Sequence, residues 1–277
     1  MPELANPRAE RVKAVRALAG RSVRQRTGRF LVEGPQSVRE AVRFAADQVR
    51  DVYLTPAAAE RYGEIVADAQ GAGLSVRLGT PEVLEAMSAD AQGVVAVLES
   101  RLATLGDVLA SAPRLVAVLA NVRDPGNAGT VIRAADAAGA DAVVLAGESV
   151  DPLNPKVVRS TVGSLFHLPV VAGVELAPAV AALRAAGLAV LAADGGGEQD
   201  LDDLQDAAAV DGPGAAGTPD LRTPTAWLFG NEAWGLLPAD RALADAAVRV
   251  PIRGRAESLN LATAATVCLY ASSRAQR

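Results

Sequence analysis

From residue 113 to residue 275, apolar runs of four or five residues alternate with stretches of helical periodicity. Runs of that kind are buried on both faces. A parallel sheet with helices on either side does this, with a helical crossover between successive strands. Strands are expected at 115–119, 142–145, 168–171, 188–192, 226–229 and 247–250, and helices at 127–138, 155–162, 177–186, 238–243 and 258–272. Residues 195–224 interrupt the alternation. There Gly195, Gly196 and Gly197 precede an acidic stretch, and 210–224 reads as a low-complexity surface loop.

The first hundred residues alternate on a shorter spacing. Helices are expected at 7–18, 37–46, 57–70 and 81–87, and strands at 29–33, 49–54, 74–78 and 93–98. This predicts a small α/β domain over 1–105, a partly helical linker within 100–113, and a larger parallel-sheet α/β domain over 113–277.

Composition removes several kinds of chemistry. Cys268 and His167 are the only residues of their types, which excludes an internal disulfide and a cysteine or histidine metal cluster. A Ser-His-Asp triad has little to draw on. The most apolar stretch, 176–193, is interrupted by Pro178 and Arg184 and falls short of a membrane span. The first sixteen residues have no apolar signal core. A cytoplasmic, metal-free protein with no membrane contact is expected. Net charge is −5, yet residues 1–29 carry +6 and the remainder −11. A basic tip on an acidic body suits phosphate, and Arg21, Arg24 and Arg26 are its candidate RNA contacts. The alternative is a solvated helix face.

Three clusters in the second domain carry chemistry. NVRDPGNAGTVIR (121–133) follows a strand and opens a helix that Asn127 can cap. Asn127 and Arg133 lie six residues apart, about 1.7 turns, so they reach a site from different sides of the helix. LFGNEAWG (228–235) ends an apolar strand, where parallel sheets bind ligands. Its two glycines allow close turns and Glu232 supplies a carboxylate. VPIRGRAESLNLATAA (250–265) opens the final helix, with Ser258 as a candidate cap. Singly, each cluster also reads as an ordinary turn.

Together they resemble, in order and spacing, the three signature motifs of the SpoU/TrmH family of RNA ribose methyltransferases. NPKVVRSTVGSLFHLP (154–169) resembles that family's connecting motif, with Ser160-Thr161 a mild variant. FLVEG (30–34) and QGVVAV (92–97) resemble the substrate-binding domain that many members carry, itself similar to small RNA-binding ribosomal proteins. The resemblance implies a trefoil knot in the parallel-sheet domain and homodimerisation through that domain. It also implies an S-adenosylmethionine site built from main-chain groups at Leu228, Gly230, Val250, Ile252, Leu259 and Leu261. The implied catalytic set is Asn127, Arg133, Glu232, Ser258 and Asn260.

The resemblance assigns Arg133 to activation of the ribose hydroxyl. An arginine stays protonated, so holding the adjacent phosphate and stabilising the developing alkoxide is the chemically better role. The base stays open between Glu232 and a substrate phosphate. The expected partner is large-subunit ribosomal RNA. A transfer RNA enzyme and a non-catalytic RNA-binding protein are the alternatives. A Rossmann oxidoreductase is disfavoured because no G-x-G-x-x-G follows the first strand.

Overall fold

Short β-branched runs in the first third form a mixed four-stranded sheet. In the computed structural model, which describes residues 3–210 and 217–277, its strands are β1 (Arg29–Glu33), β2 (Val49–Leu54), β3 (Val76–Leu78) and β4 (Val94–Glu99). The order is β1-β4-β2-β3. β4 is antiparallel to both neighbours and β2 is parallel to β3. Val12, Val15 and Leu18 pack with Leu31, Tyr53, Leu84 and Met87 into one core cluster. The expected helix over 57–70 is two, Pro56–Arg61 and Gly63–Gly71, broken at Tyr62.

Arg24 corrects the reading of the basic tip. It sits on the helix Arg21–Thr27 and is 4% exposed. Its Nη1 donates to the carbonyls of Leu18 and Ala19 at 3.0 and 2.8 Å. Leu18 is the C-cap of the preceding helix, Glu10–Ala17, and Ala19 follows it, so Arg24 ties down the chain where that helix ends. Arg24 is therefore a helix-terminating residue, not an RNA contact, while Arg21 and Arg26 are exposed.

Contacts divide the chain into two compact units. The first is the chain up to Arg101 with Leu153–His167, and the second is Leu102–Pro152 with Leu168–Arg277. Residues 153–167 thus join the first unit rather than the 113–277 domain expected from sequence. Packing and charge both hold them there: Val157 and Val158 are fully buried on the helix that packs against β1. Glu33 is 3% exposed, and a buried carboxylate needs a partner. Arg159 supplies it, pairing with Glu33 and Asp90, while Ser88 Oγ donates to the same carboxylate. His167 packs edge-on against Phe44 at 4.7 Å between centroids.

In the second unit the apolar runs become a parallel sheet: β5 (Leu115–Ala120), β6 (Ala142–Ala146), β7 (Val170–Val174), β8 (Ala189–Ala193), β9 (Gln199–Asp200), β10 (Thr225–Phe229) and β11 (Ala246–Arg249). The order is β7-β6-β5-β10-β8-β11-β9. All six residues of β5 and all five of β10 are buried, as strands covered on both faces require. One face packs Val116, Val118, Val144 and Leu228 on Val180 and Leu183. The helices Pro125–Ala137 and Leu261–Ala275 pack on each other, and the latter also meets β5 and β10. Trp227 Nε1 donates to Ser272 Oγ at 2.9 Å beneath it. Cys268 lies in the same layer, and burial pushes its thiol up to about 12, which removes it as a nucleophile.

Inside the interval read as irregular, Leu201–Ala208 is a helix capped by Asp200, whose carboxylate accepts from Asp202 N at 3.0 Å. Of the expected loop 210–224, residues 211–216 lie outside the described residues, and 217–224 contain no helix or strand. Among the described residues no helix is long and apolar enough to cross a membrane.

Candidate active site

β10 lies between β5 and β8, so the loop that follows Phe229 leaves the sheet at the C-terminal edge of its middle strands. Gly230 is required there. A Cβ at this position would stand 2.2 Å from Gly235 C and 2.4 Å from Leu236 N, because the chain returns across its own backbone. Asn231 and Gly235 close the turn with two main-chain hydrogen bonds of 2.9 Å. Asn231 is 6% exposed and its side chain ties the turn down on both sides. Its Nδ2 donates to Asn121 O at 2.7 Å and its Oδ1 accepts from Ala233 N at 2.9 Å.

Glu232 reaches back to the loop after β5. Its carboxylate accepts from the amides of Arg123 and Asp124 at 3.3 and 3.1 Å. Asp124, not Asn127, then caps the helix Pro125–Ala137, accepting from Asn127 N at 2.7 Å. The helix begins two residues earlier than expected because Pro125, with its φ already helical, occupies the first turn. Asn127 is thereby released from capping, and its Oδ1 accepts from Asn260 Nδ2 at 3.0 Å.

Asn260 does two jobs. Its Oδ1 accepts from Ala262 N and Thr263 N at 2.9 and 3.3 Å and so caps the helix Leu261–Ala275. Ser258, the cap expected from sequence, lies outside the helix instead and lines a cavity. Two good caps stand two positions apart here, and only the path of the backbone selects between them.

The cavity, of about 730 Å³, lies between the β10 turn, the segment after β11 and the end of β8. Of the expected main-chain positions, Gly230, Val250, Ile252, Leu259 and Leu261 line it. Leu228 does not: it is fully buried, and Phe229 takes its place in the wall. Ile252 and Leu259 are each 38% exposed, so the wall holds apolar side chains with no apolar cover. Asp194 closes the far side together with Gly195, the first residue of the stretch read from sequence as a break in the pattern. The size and the mixed apolar and polar lining fit an organic cofactor that is part apolar and part polar.

Arg133 is exposed on the helix Pro125–Ala137, outside the cavity lining, with no ion pair among the described residues. The structure thus joins Asn127 to Asn260, ties Glu232 to the first loop, and leaves Arg133 facing solvent. Asn121, Asp124 and Asn231 were missed. All three stand in the quoted motifs, but Asn121 meets Glu148 and Asn231 across 27 and 110 residues, and Asp124 competes as a cap with Asn127 three positions on.

The profile described as the SpoU rRNA Methylase family matches residues 114–270, and that of the MRM3-like substrate binding domain matches residues 9–96. The 23S rRNA (guanosine(2553)-2′-O)-methyltransferase RlmP of Bacillus subtilis is 32% identical, with 98% of each chain covered. The 23S rRNA (uridine(2479)-2′-O)-methyltransferase of Streptomyces viridochromogenes is 38% identical over 65% of this chain, a match that spans 60% of that protein's length. Among solved structures, the AdoMet-bound rRNA methyltransferase from Sinorhizobium meliloti superposes with a TM-score of 0.80 at 30% identity, covering 98% of this chain and 97% of that one.

Proposed function

The chain belongs to the SpoU rRNA methylase family, and from that membership we propose that it transfers the methyl group of S-adenosylmethionine to a ribose 2′-hydroxyl of large-subunit ribosomal RNA. The observation that carries this is the cavity at the sheet edge, built by the two motif loops beside the Asn127–Asn260 pair. The relatives quoted act on different nucleosides, a guanosine and a uridine, but at the same 2′-oxygen. The ribose is therefore the common element of the reaction.

Main-chain groups at Gly230, Val250, Ile252, Leu259 and Leu261 would hold the cofactor. When bound, S-adenosylmethionine supplies a methyl group already activated on a sulfonium. What is left to the protein is alignment of the 2′-oxygen and management of one proton. Asn127 and Asn260 fix the two helix ends against each other. Arg133 projects from the first of those helices with its fork free to hold a phosphate and stabilise a developing alkoxide. Both Glu232 oxygens already accept main-chain N–H groups, so we assign Glu232 to holding the 121–124 loop and not to proton removal.

We assign the second unit a trefoil knot. Its support is the close passage of backbone at Gly230 past Gly235 and Leu236, together with β10 standing between β5 and β8. We assign a homodimer through the last helix, on which Val267 and Tyr270 are 38% and 46% exposed. The place of action is the cytoplasm.

The test is incubation of the chain with methyl-labelled S-adenosylmethionine and ribosomal and transfer RNA from cells lacking the gene. Label is expected in the large-subunit RNA, in dinucleotides that survive alkali because the 2′-oxygen is blocked. Label on a base, or on transfer RNA alone, overturns the reading.

The first unit is assigned RNA affinity, with Arg21 and Arg26 as contacts. The double change to Ala is expected to lower the log–log salt slope of RNA binding by up to about 2 units. Arg24→Ala is expected to leave that slope alone and to cost about 2–3 kcal/mol in urea unfolding, since it removes charged hydrogen bonds from buried carbonyls. An unchanged slope in the double variant would make the basic tip solvated surface only.

A further inference from the structure

Aromatic residues form 3% of the chain, and its two tryptophans have opposite placements. Trp227 is fully buried in β10, while Trp234, in the turn just after that strand, is 48% exposed. Exposing an indole forgoes a large burial energy, so a position that does it on a rigid turn calls for a partner. The turn is rigid. Asn231 and Gly235 bond to each other twice, Asn231 is anchored to Asn121, and Glu232 grips the amides of Arg123 and Asp124.

Glu232, Ala233 and Gly235 line the cofactor cavity but Trp234 does not, so the ring stands outside its wall. The Arg123 guanidinium lies over the ring, 5.5 Å from its centroid, and pairs with Glu148. An indole with a guanidinium over one face, next to a methyl-transfer pocket, matches single-stranded RNA. Unpaired bases stack on aromatic rings and on arginine planes, and a cation meets the neighbouring phosphate.

We propose that Trp234 is a stacking platform for a nucleobase of the RNA strand beside the ribose being methylated, with Arg123 as its cationic flank. This rests on the methyltransferase reading. A reaction at the ribose needs the base turned out of the way and held, and an indole does so without choosing its identity. Trp234 is then a positioning residue for substrate. It is no part of the cofactor site.

The full chain supplies the probe, because Trp227 is shielded in the core and Trp234 is the solvent-facing emitter. A short oligouridylate is expected to quench the emission, and an abasic ribose–phosphate oligomer of equal length and charge is not. Trp234→Phe is expected to abolish the quenching. In steady-state transfer to unmethylated 23S ribosomal RNA, Trp234→Ala is expected to raise KM for RNA about tenfold, the scale of one lost base–aromatic stack. S-adenosylmethionine affinity is expected to hold, and Trp234→Phe to recover most of the loss. Equal quenching by the abasic oligomer, or an unchanged KM in Trp234→Ala, overturns the proposal. So does a loss of cofactor affinity. A changed sedimentation coefficient in Trp234→Ala also overturns it, and would assign Trp234 with the equally exposed Leu237 to contact between copies of the chain. Failure of the wild-type chain to methylate any RNA would sink the methyltransferase reading instead, and the quenching experiment is read independently of transfer.

Discussion

Arg133→Ala is expected to slow single-turnover methyl transfer by on the order of a hundredfold or more at saturating cofactor, as loss of a transition-state donor does. Affinity for S-adenosylmethionine is expected to stay near wild type, because Arg133 lies outside the cavity lining. The helix that carries Arg133 buries Val131 and Ile132 on one side and leaves the guanidinium in solvent, so the truncation removes no core contact. Arg133→Lys separates charge from geometry. Lysine keeps the cation but loses the planar fork, and is expected to recover little of the rate. A lysine variant at wild-type speed would show that phosphate holding by two parallel hydrogen bonds is wrong. Loss of cofactor binding in Arg133→Ala would move the residue to the other side of the reaction.

Gly230→Ala is expected to be the most damaging single methyl group in the second unit. The added carbon would lie 2.2, 2.4 and 2.5 Å from three backbone atoms of Gly235 and Leu236, where ordinary contact is about 3.5–4.0 Å. Backbone cannot rotate away as a side chain does. The turn must shift, and with it Glu232 leaves the Arg123 and Asp124 amides. A cost of about 3 kcal/mol in urea unfolding is expected, at the upper end for overpacking, with cofactor binding lost from calorimetry. Gly195→Ala is the control. It lines the same cavity, yet an added Cβ there meets nothing within 4 Å, so stability is expected to hold within about 0.5 kcal/mol. A Gly230→Ala variant that folds and binds cofactor normally would mean that the chain does not cross itself there.

The strands were legible because their signal is local. An unbroken apolar run such as Leu115–Ala120 or Ala226–Phe229 has few alternatives, and the strands fall within two residues of where the pattern puts them, except that β7 ends three residues later and the short β9 was not anticipated. Helix boundaries were less so. Asp124 and Asn127 both suit a cap, as do Ser258 and Asn260, and local chemistry does not rank them. The helix Leu201–Ala208 was lost in an acidic stretch that breaks the alternation, although acidic residues favour a first helical turn. The site's loops announced themselves by glycine after apolar strand. Their cross-links did not, since Glu232 meets its amide partners across more than a hundred residues. Arg24 and Arg21 look alike in sequence. Only the fold distinguishes the arginine that closes a helix from the one left to solvent.

The ion pair between Glu33 and Arg159 spans 126 positions of the chain. During synthesis at ~5–20 residues per second, about 6–25 seconds pass after Glu33 is made before Arg159 leaves the peptidyl-transferase centre. For that interval the nascent N-terminal sheet contains a carboxylate whose burial has no compensating cation. The first unit is therefore vectorially late. Emerging first from the ribosome does not make it first to settle, and its completion waits until β5 and β6 have already been translated.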